Sequence, residues 1–439
     1  MLMESLAAGR SISLPALSVG ASQLATRIIG AYATIREQFD TPIGRFEGIE
    51  EPLARIGGLT YLMNAARLLT ARAVDEGERP AVLSAIVKCY LTEGMRAVLN
   101  DAMDIRAGAG ICRGPRNLLA SGYIASPIGI TVEGANILTR CMIIYGQGAI
   151  RCHPFAKEEM AAFAEGDPSR FDRAFFSHVG FVFKSAARAF LLALTGGRLA
   201  RTSAGGLLGR KLGELSRMSA AFALTSDVAM ATLGGRLKRK EKISGRLADA
   251  LAWLYLASAA AKKFEDDGRP GADIPFLSWS CDHALFKIEE ALLGIIGNLP
   301  NRPAAFLLRP LLFPWGPRRK PPSDALGSAV ARALLEDHEG RLRLTKDIFV
   351  PSPDDPGLGR LEAALGKAVD ALHVEAALRD AVRSGRIDRA PGHALAELGL
   401  EAGVISRDDV ERLRLGDVAR EEAIQVDAFE GAEYRALRR

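Results

Sequence analysis

The segment Thr131-Val132-Glu133-Gly134-Ala135-Asn136-Ile137-Leu138-Thr139-Arg140 sets one carboxylate between apolar residues and a glycine, just ahead of a helical run from Ile137 to Tyr145. A carboxylate so placed has two readings. It is a helix N-terminal charge facing the dipole, or a base held in an apolar pocket. The residues alone leave both open.

Outward from that segment the pattern is helical. Leu14, Leu17, Leu24, Ile28, Tyr32 and Ile35 recur at threes and fours, which predicts a helix from Ser11 to Gln38 closed by Asp40-Thr41-Pro42. A second helix is expected over Glu47–Val74, with Leu53, Ile56, Leu59, Met63, Ala66 and Leu69 on one face. A third is expected from Pro80 to Ile105, since proline suits a first helical turn. Arg106-Ala107-Gly108-Ala109-Gly110-Ile111 then reads as a helix end and loop.

Beyond the polar joint Glu165-Gly166-Asp167-Pro168-Ser169, helices are expected over Arg173–Leu194, Leu212–Arg236, Leu247–Phe264 and Trp279–Gly297. Helical tail segments are expected over Gly357–Ser384 and Arg407–Gln425. The prolines at 303, 310 and 314 preclude one long helix over 302–322. There Phe306, Leu307, Leu308, Leu311, Leu312, Phe313 and Trp315 stand beside Arg318, Arg319 and Lys320. That mixture fits a bilayer interface, or else a buried kinked segment with a charged rim. The fold class is all-α: a four-helix bundle over residues 1–150, then a helical extension over 168–439.

Composition agrees. Apolar residues make up 48% of the 439 and aromatics only 6%, with alanine and leucine abundant. The net charge of +5 is too mild to argue for nucleic acid, and the first 300 residues hold no basic block interleaved with aromatics. The five cysteines are scattered and odd in number, which points to a reduced, cytoplasmic setting. Neither Cys152-His153 nor Cys281-Asp282-His283 has zinc spacing, so no metal is expected. Met1-Leu2-Met3-Glu4 lacks the basic start of a signal peptide, and no uncharged apolar run of about 18 residues suggests a membrane span.

Two motifs carry a resemblance. Glu133-Gly134-x-Asn136-x-x-x-Arg140 is similar to the segment bearing the catalytic glutamate of acyl-CoA dehydrogenases. Upstream, Tyr32-Ala33-Thr34-Ile35-Arg36-Glu37-Gln38-Phe39-Asp40-Thr41-Pro42-Ile43-Gly44 resembles that family's Y-A-x-x-R-x-x-F-G-x-P-I block. Residues 1–150 therefore look like the family's C-terminal helical domain, and the rest like the extension of large bacterial fatty-acid-oxidising members. The family's N-terminal helical domain and flavin-binding β domain have no counterpart here, so an incomplete chain is expected.

The resemblance implies α,β-desaturation of a medium- or long-chain acyl-CoA in fatty-acid β-oxidation, with FAD as cofactor. Glu133 would be the base, and Gly134 a substrate contact. Arg36 and Phe39 would reach the FAD of a neighbouring subunit in a homodimer, and Ala107-Gly108 would lie along it. Glu47 stands where the family has a glutamine donor to the flavin. Electron-transfer flavoprotein would be the acceptor. Departures are Asp40 for glycine, Ala107 for the first glycine of a pair, Val132 for an aromatic and Ala135 for threonine. The competing reading is a non-catalytic helical scaffold or membrane-associated fragment; peripheral contact with the inner face of the cell membrane fits the 302–322 segment under either.

Overall fold

The computed structural model describes residues 2–148, 152–336 and 338–437, and the expected boundary at residue 150 falls outside them. Helices dominate. Among the described residues the only sheet is one two-stranded hairpin, Glu37–Gln38 against Thr41–Pro42.

Helix α1 spans Leu2–Ile35, α2 Glu47–Asp75 and α3 Ala81–Arg106. Helix α1 stops at Ile35, three residues short of the expected Gln38, because the chain turns back through the hairpin. Its turn residues Phe39 and Asp40 have φ of 53° and 57°. Positive φ at both central residues is what a tight two-residue hairpin demands, and aspartate tolerates it better than most side chains. Helix α4 covers Ala120–Thr131. The expected helix after Glu133 is a short turn, Asn136–Leu138, followed by a π-helical stretch over Thr139–Gln147.

Further helices are α5 (Ala156–Glu165), α6 (Pro168–Leu194), α7 (Gly206–Leu233), α8 (Glu241–Asp266), α9 (Ile274–Asn298) and α10 (Arg302–Leu312). Helix α6 starts five residues earlier than periodicity suggested. Asp167 caps it by accepting from the Arg170 N–H at 3.0 Å, and Pro168 needs no partner in the first turn. Helix α6 is long and apolar enough to cross a membrane by length and composition, yet little of it is buried. The tail adds α11 (Asp324–Arg332), α12 (Leu358–Arg383), α13 (Gly392–Glu401) and α14 (Arg407–Ala423). Helix α13 was not expected.

The chain forms two compact units that cut across its sequence. The first comprises residues 1–19, 61–95 and 126–326, and the second 20–60, 96–125 and 327–439. The core of the first is alanine- and leucine-rich and runs along α7, α8 and α9, through Met218, Leu224, Leu247, Leu285, Leu292 and Ile295. In the second, Arg341 is 1% exposed, yet its guanidinium donates to the Arg27 carbonyl at 2.9 Å and pairs with Glu362. Such a buried charge persists only because it is paired and hydrogen-bonded. Gly30 makes that approach possible: a Cβ there would lie 2.3 Å from the Leu334 carbonyl oxygen.

Candidate active site

In the first unit, Glu133 sits between α4 and the 136–138 turn with φ of 53°, and Gly134 follows at 98°. A left-handed non-glycine residue is uncommon and costs about 1 kcal/mol or more, so the surroundings must enforce it. They do. Lys88, on α3, has no exposed surface, and its Nζ donates to the Gly134 carbonyl and to Asn136 Oδ1, each at 2.7 Å. Burial lowers the Lys88 pKa, and the carboxylates of Glu133 and Glu93 counter that. Asn136 Nδ2 donates to Thr92 Oγ1 at 2.9 Å and to Glu93 Oε1 at 3.0 Å. Thr139 Oγ1 closes the turn on the Gly134 carbonyl at 3.2 Å.

The carboxylate is itself under-satisfied. Glu133 Oε2 is buried and accepts no hydrogen bond. Among the described residues no acceptor meets the Glu133 backbone N–H either. Arg10 comes close, its Nη2 lying 3.9 Å from where a Gly134 Cβ would stand. An unpaired carboxylate oxygen and an unpaired N–H, fixed by a rigid turn, can remove a proton and receive a developing oxyanion. Farther along the motif, Arg140 is structural. Its Nε donates to Asp249 Oδ1 at 2.6 Å, and the Tyr90 hydroxyl reaches the same oxygen at 2.5 Å.

The sequence did not flag Lys88 or Arg10. The signal for Lys88 was present: one lysine interrupts the apolar run Ala85-Ile86-Val87-Lys88-Cys89-Tyr90-Leu91. Glu93 lies mid-helix on α3 and supports Asn136.

The residues expected to meet a flavin all lie in the second unit. Arg36 follows the end of α1, and its guanidinium makes no ion pair among the described residues. Phe39, at the hairpin tip, is 90% exposed. Ala107 and Gly108 are exposed at the end of α3, and the Arg106 guanidinium lies 5.6 Å from the ring centroid of Tyr32, one turn before Arg36. Nothing crowds Gly108, where a Cβ would meet no atom within 4 Å. An unpaired guanidinium and an open backbone fit a diphosphate. Glu47 does not fit as a donor. It is exposed at the first residue of α2, where a carboxylate complements the helix dipole. Asn117 holds the intervening loop, donating to the Gly110 and Cys112 carbonyls and accepting from the N–H of Leu119 and Ala120.

One cluster gathers metal-type ligands: His153, His178 and Asp227. His153 Nδ1 accepts from the Phe155 and Ala156 N–H groups, so the neutral ring carries its proton on Nε2, which donates to Asp227 Oδ1 at 2.8 Å. That leaves His153 no lone pair for an ion without losing those bonds.

Residues 1–146 match the family model "Acyl-CoA dehydrogenase, C-terminal domain", and residues 150–429 match "Acyl-CoA dehydrogenase, C-terminal, bacterial type". The chain is 27% identical over 274 residues to the probable acyl-CoA dehydrogenase FadE10 of Mycobacterium tuberculosis, covering 60% of this chain and 41% of that one. A 3-(aryl)acrylate reductase of Clostridium sporogenes is 33% identical over 111 residues, 25% of this chain and 28% of the reductase. The chain thus spans well under half the length of either relative. Two solved structures share the fold. An acyl-CoA dehydrogenase of Bacillus anthracis complexed with FAD aligns with TM-score 0.57 at 18% identity, over 75% of this chain and 56% of that one. The tomato acyl-CoA oxidase LeACX1 aligns with TM-score 0.52 at 14% identity, over 82% and 52%. With a bacterial-type model covering most of its length, the chain belongs to the acyl-CoA dehydrogenase family.

Proposed function

We propose that this chain carries the base-bearing helical part of an FAD-dependent acyl-CoA dehydrogenase, acting on medium- to long-chain acyl-CoA in fatty-acid β-oxidation. The observation that supports it most is Glu133, whose buried Oε2 has no partner on a turn locked by Lys88 and Asn136. Glu133 would take the α-proton, and its backbone N–H would receive the thioester oxygen as enolate charge develops. The electron pair of the α C–H bond becomes the new C–C π bond as the β-hydride departs. Bound FAD would supply the two-electron acceptor for that hydride. Arg36, Phe39 and the Ala107-Gly108 turn would face the cofactor of a second copy in a homodimer, with the remaining flavin contacts coming from the family's β domain. Electron-transfer flavoprotein would reoxidise the enzyme.

The test uses the complete enzyme. Glu133→Gln should retain flavin absorbance while anaerobic flavin reduction by acyl-CoA falls at least about a hundredfold, the low end for losing a general base. Near-normal reduction would remove Glu133 from the mechanism.

A peripheral membrane contact, on the cytoplasmic face of the cell membrane, is a second element of the proposal. Phe306, Leu307 and Trp315 are 79%, 65% and 58% exposed, while Leu308, Leu312 and Phe313 are buried. The 302–322 segment therefore divides its apolar side chains between core and surface. Arg318 and Lys320 flank the exposed ones and would meet an anionic bilayer.

A further inference from the structure

The extension holds a cleft that the dehydrogenase chemistry does not use. It lies wholly within the first unit, has a volume of about 900 Å³, and is walled by the connection from α6 to α7 and by the chain after α10. The first wall reads Thr195-Gly196-Gly197-Arg198-Leu199-Ala200-Arg201-Thr202-Ser203-Ala204-Gly205-Gly206, and the second Phe313-Pro314-Trp315-Gly316-Pro317-Arg318-Arg319. Five arginines line it, Arg198, Arg210, Arg217, Arg318 and Arg319, against a single carboxylate, Glu214.

Two carboxylates, Glu214 and Glu289, offset part of that charge and leave the arginines in excess. Glu214 Oε1 is engaged by Arg319 at 3.1 Å. Glu289 Oε1 is spent on the backbone N–H groups of Arg318 and Arg319, both at 2.8 Å. Arg217 is 7% exposed, its Nε has no partner, and its Nη2 reaches only the Leu312 carbonyl at 3.3 Å. Its guanidinium also lies 5.8 Å from the Phe313 ring centroid, but no carboxylate is hydrogen-bonded to it, and a guanidinium so buried gains from an anion that completes it.

The backbone offers a second set of donors. Helix α7 begins at Gly206, and its N-cap, Gly205, brings no side chain to the orphan N–H groups of the first turn. Gly205, Gly206 and Gly209 all line the cleft. A Cβ at Gly196, Gly205, Gly206 or Gly316 would meet nothing within 4 Å, so the backbone at these positions is open. The first turn of a long helix, uncapped and ringed by arginines, is suited to a phosphoryl group.

We propose that this cleft binds a phosphate or diphosphate group, with Arg217 at its base and Arg198, Arg210 and Arg318 at its rim. Rim arginines give forked donors to phosphate oxygens, and the α7 amides fill the remaining positions. The volume accommodates a nucleotide-sized molecule. The phosphoryl group has two sources: a soluble nucleotide, or the headgroup of an anionic lipid presented beside the exposed Trp315 and Leu199.

The experiment is calorimetric titration of the chain with inorganic diphosphate, followed by competition with adenosine 3′,5′-bisphosphate and with phosphatidylcholine vesicles carrying phosphatidate. Saturable diphosphate binding is expected. It should weaken at least tenfold in the triple variant R198Q/R210Q/R318Q, whose rim side chains are exposed, with an unchanged melting temperature. Arg217→Met, where it folds, should abolish binding. Displacement by the bisphosphate but not by vesicles assigns a soluble ligand, and the reverse assigns a lipid headgroup. Absence of saturable diphosphate binding, or binding indifferent to the triple variant, overturns the proposal. The readout needs no dehydrogenase activity, so its failure leaves the assignment of Glu133 untouched.

Discussion

The Nζ of Lys88 lies 2.7 Å from the carbonyl oxygen of Gly134, so a wholly buried ammonium holds the turn that presents Glu133. The same nitrogen reaches Asn136 Oδ1, also at 2.7 Å, and thereby fixes both ends of the Glu133-Gly134-Ala135-Asn136 segment.

Replacing Lys88 by methionine should therefore cost more than a surface change. It leaves the Asn136 amide oxygen unpaired and the Gly134 carbonyl with only the Thr139 hydroxyl, at about 1–3 kcal/mol for an unsatisfied group. Urea unfolding should show a loss of about 3 kcal/mol, and a loss below about 1 kcal/mol would mean that other contacts hold the turn.

Ala107 occupies φ 50°, ψ −132°, a region that glycine enters freely and alanine does not. Ala107→Gly should raise stability by about 1 kcal/mol, the relief of backbone strain less the added chain entropy. A lower melting temperature in the variant would show that the turn is not strained.

Arg36 carries no ion pair among the described residues and is free to meet a cofactor diphosphate. In the complete enzyme, Arg36→Gln should weaken FAD retention at least about tenfold, the size of one charge-assisted hydrogen bond. Glu47→Gln should leave retention unchanged or improve it, since Glu47 is only an exposed helix-end carboxylate. The 439-residue chain by itself should bind FAD weakly, and stoichiometric flavin surviving dialysis would contradict this.

His283 stacks on Trp279 at 4.7 Å and meets Trp253 edge-on at 5.2 Å. Burial, with a smaller effect from Lys287, pushes its pKa down from 6.5 to about 4. Between those values the unfolded chain binds a proton that the folded chain refuses, so stability falls as pH drops through this window. The loss by pH 4 is about 3 kcal/mol. His283→Phe should flatten that part of the stability profile; an unchanged slope would clear His283.

Phe306 and Leu307 project from α10 into solvent. Changing both to aspartate should abolish co-sedimentation with anionic vesicles and shift the melting temperature little, as expected for exposed positions. Vesicle binding that survives, or that the unchanged chain never shows, would end the membrane proposal. Arg319 is a poorer probe, because its ion pair with Glu214 joins it to the folded structure.

The sequence by itself determined the all-α class, the positions of most long helices and the motif that names Glu133. Helical periodicity is written locally, every three or four residues, and needs no partner to be read. What it misplaced were helix ends. Asp167 extends α6 to Pro168 through a single cap, and two left-handed residues, Phe39 and Asp40, end α1 early. Tertiary structure alone decided the rest. Lys88 lies far from Glu133 in sequence, and nothing in an apolar helix says which carbonyls its lysine will hold. The apolar run near Trp315 reads as one block, yet packing buries Phe313 and leaves Phe306 in solvent. The arginine cleft joins residues near 200 to residues near 316. The reason is physical: hydrogen bonds and charge burial are set by which segments meet, and that choice is made by the whole apolar core, not by any one stretch of chain.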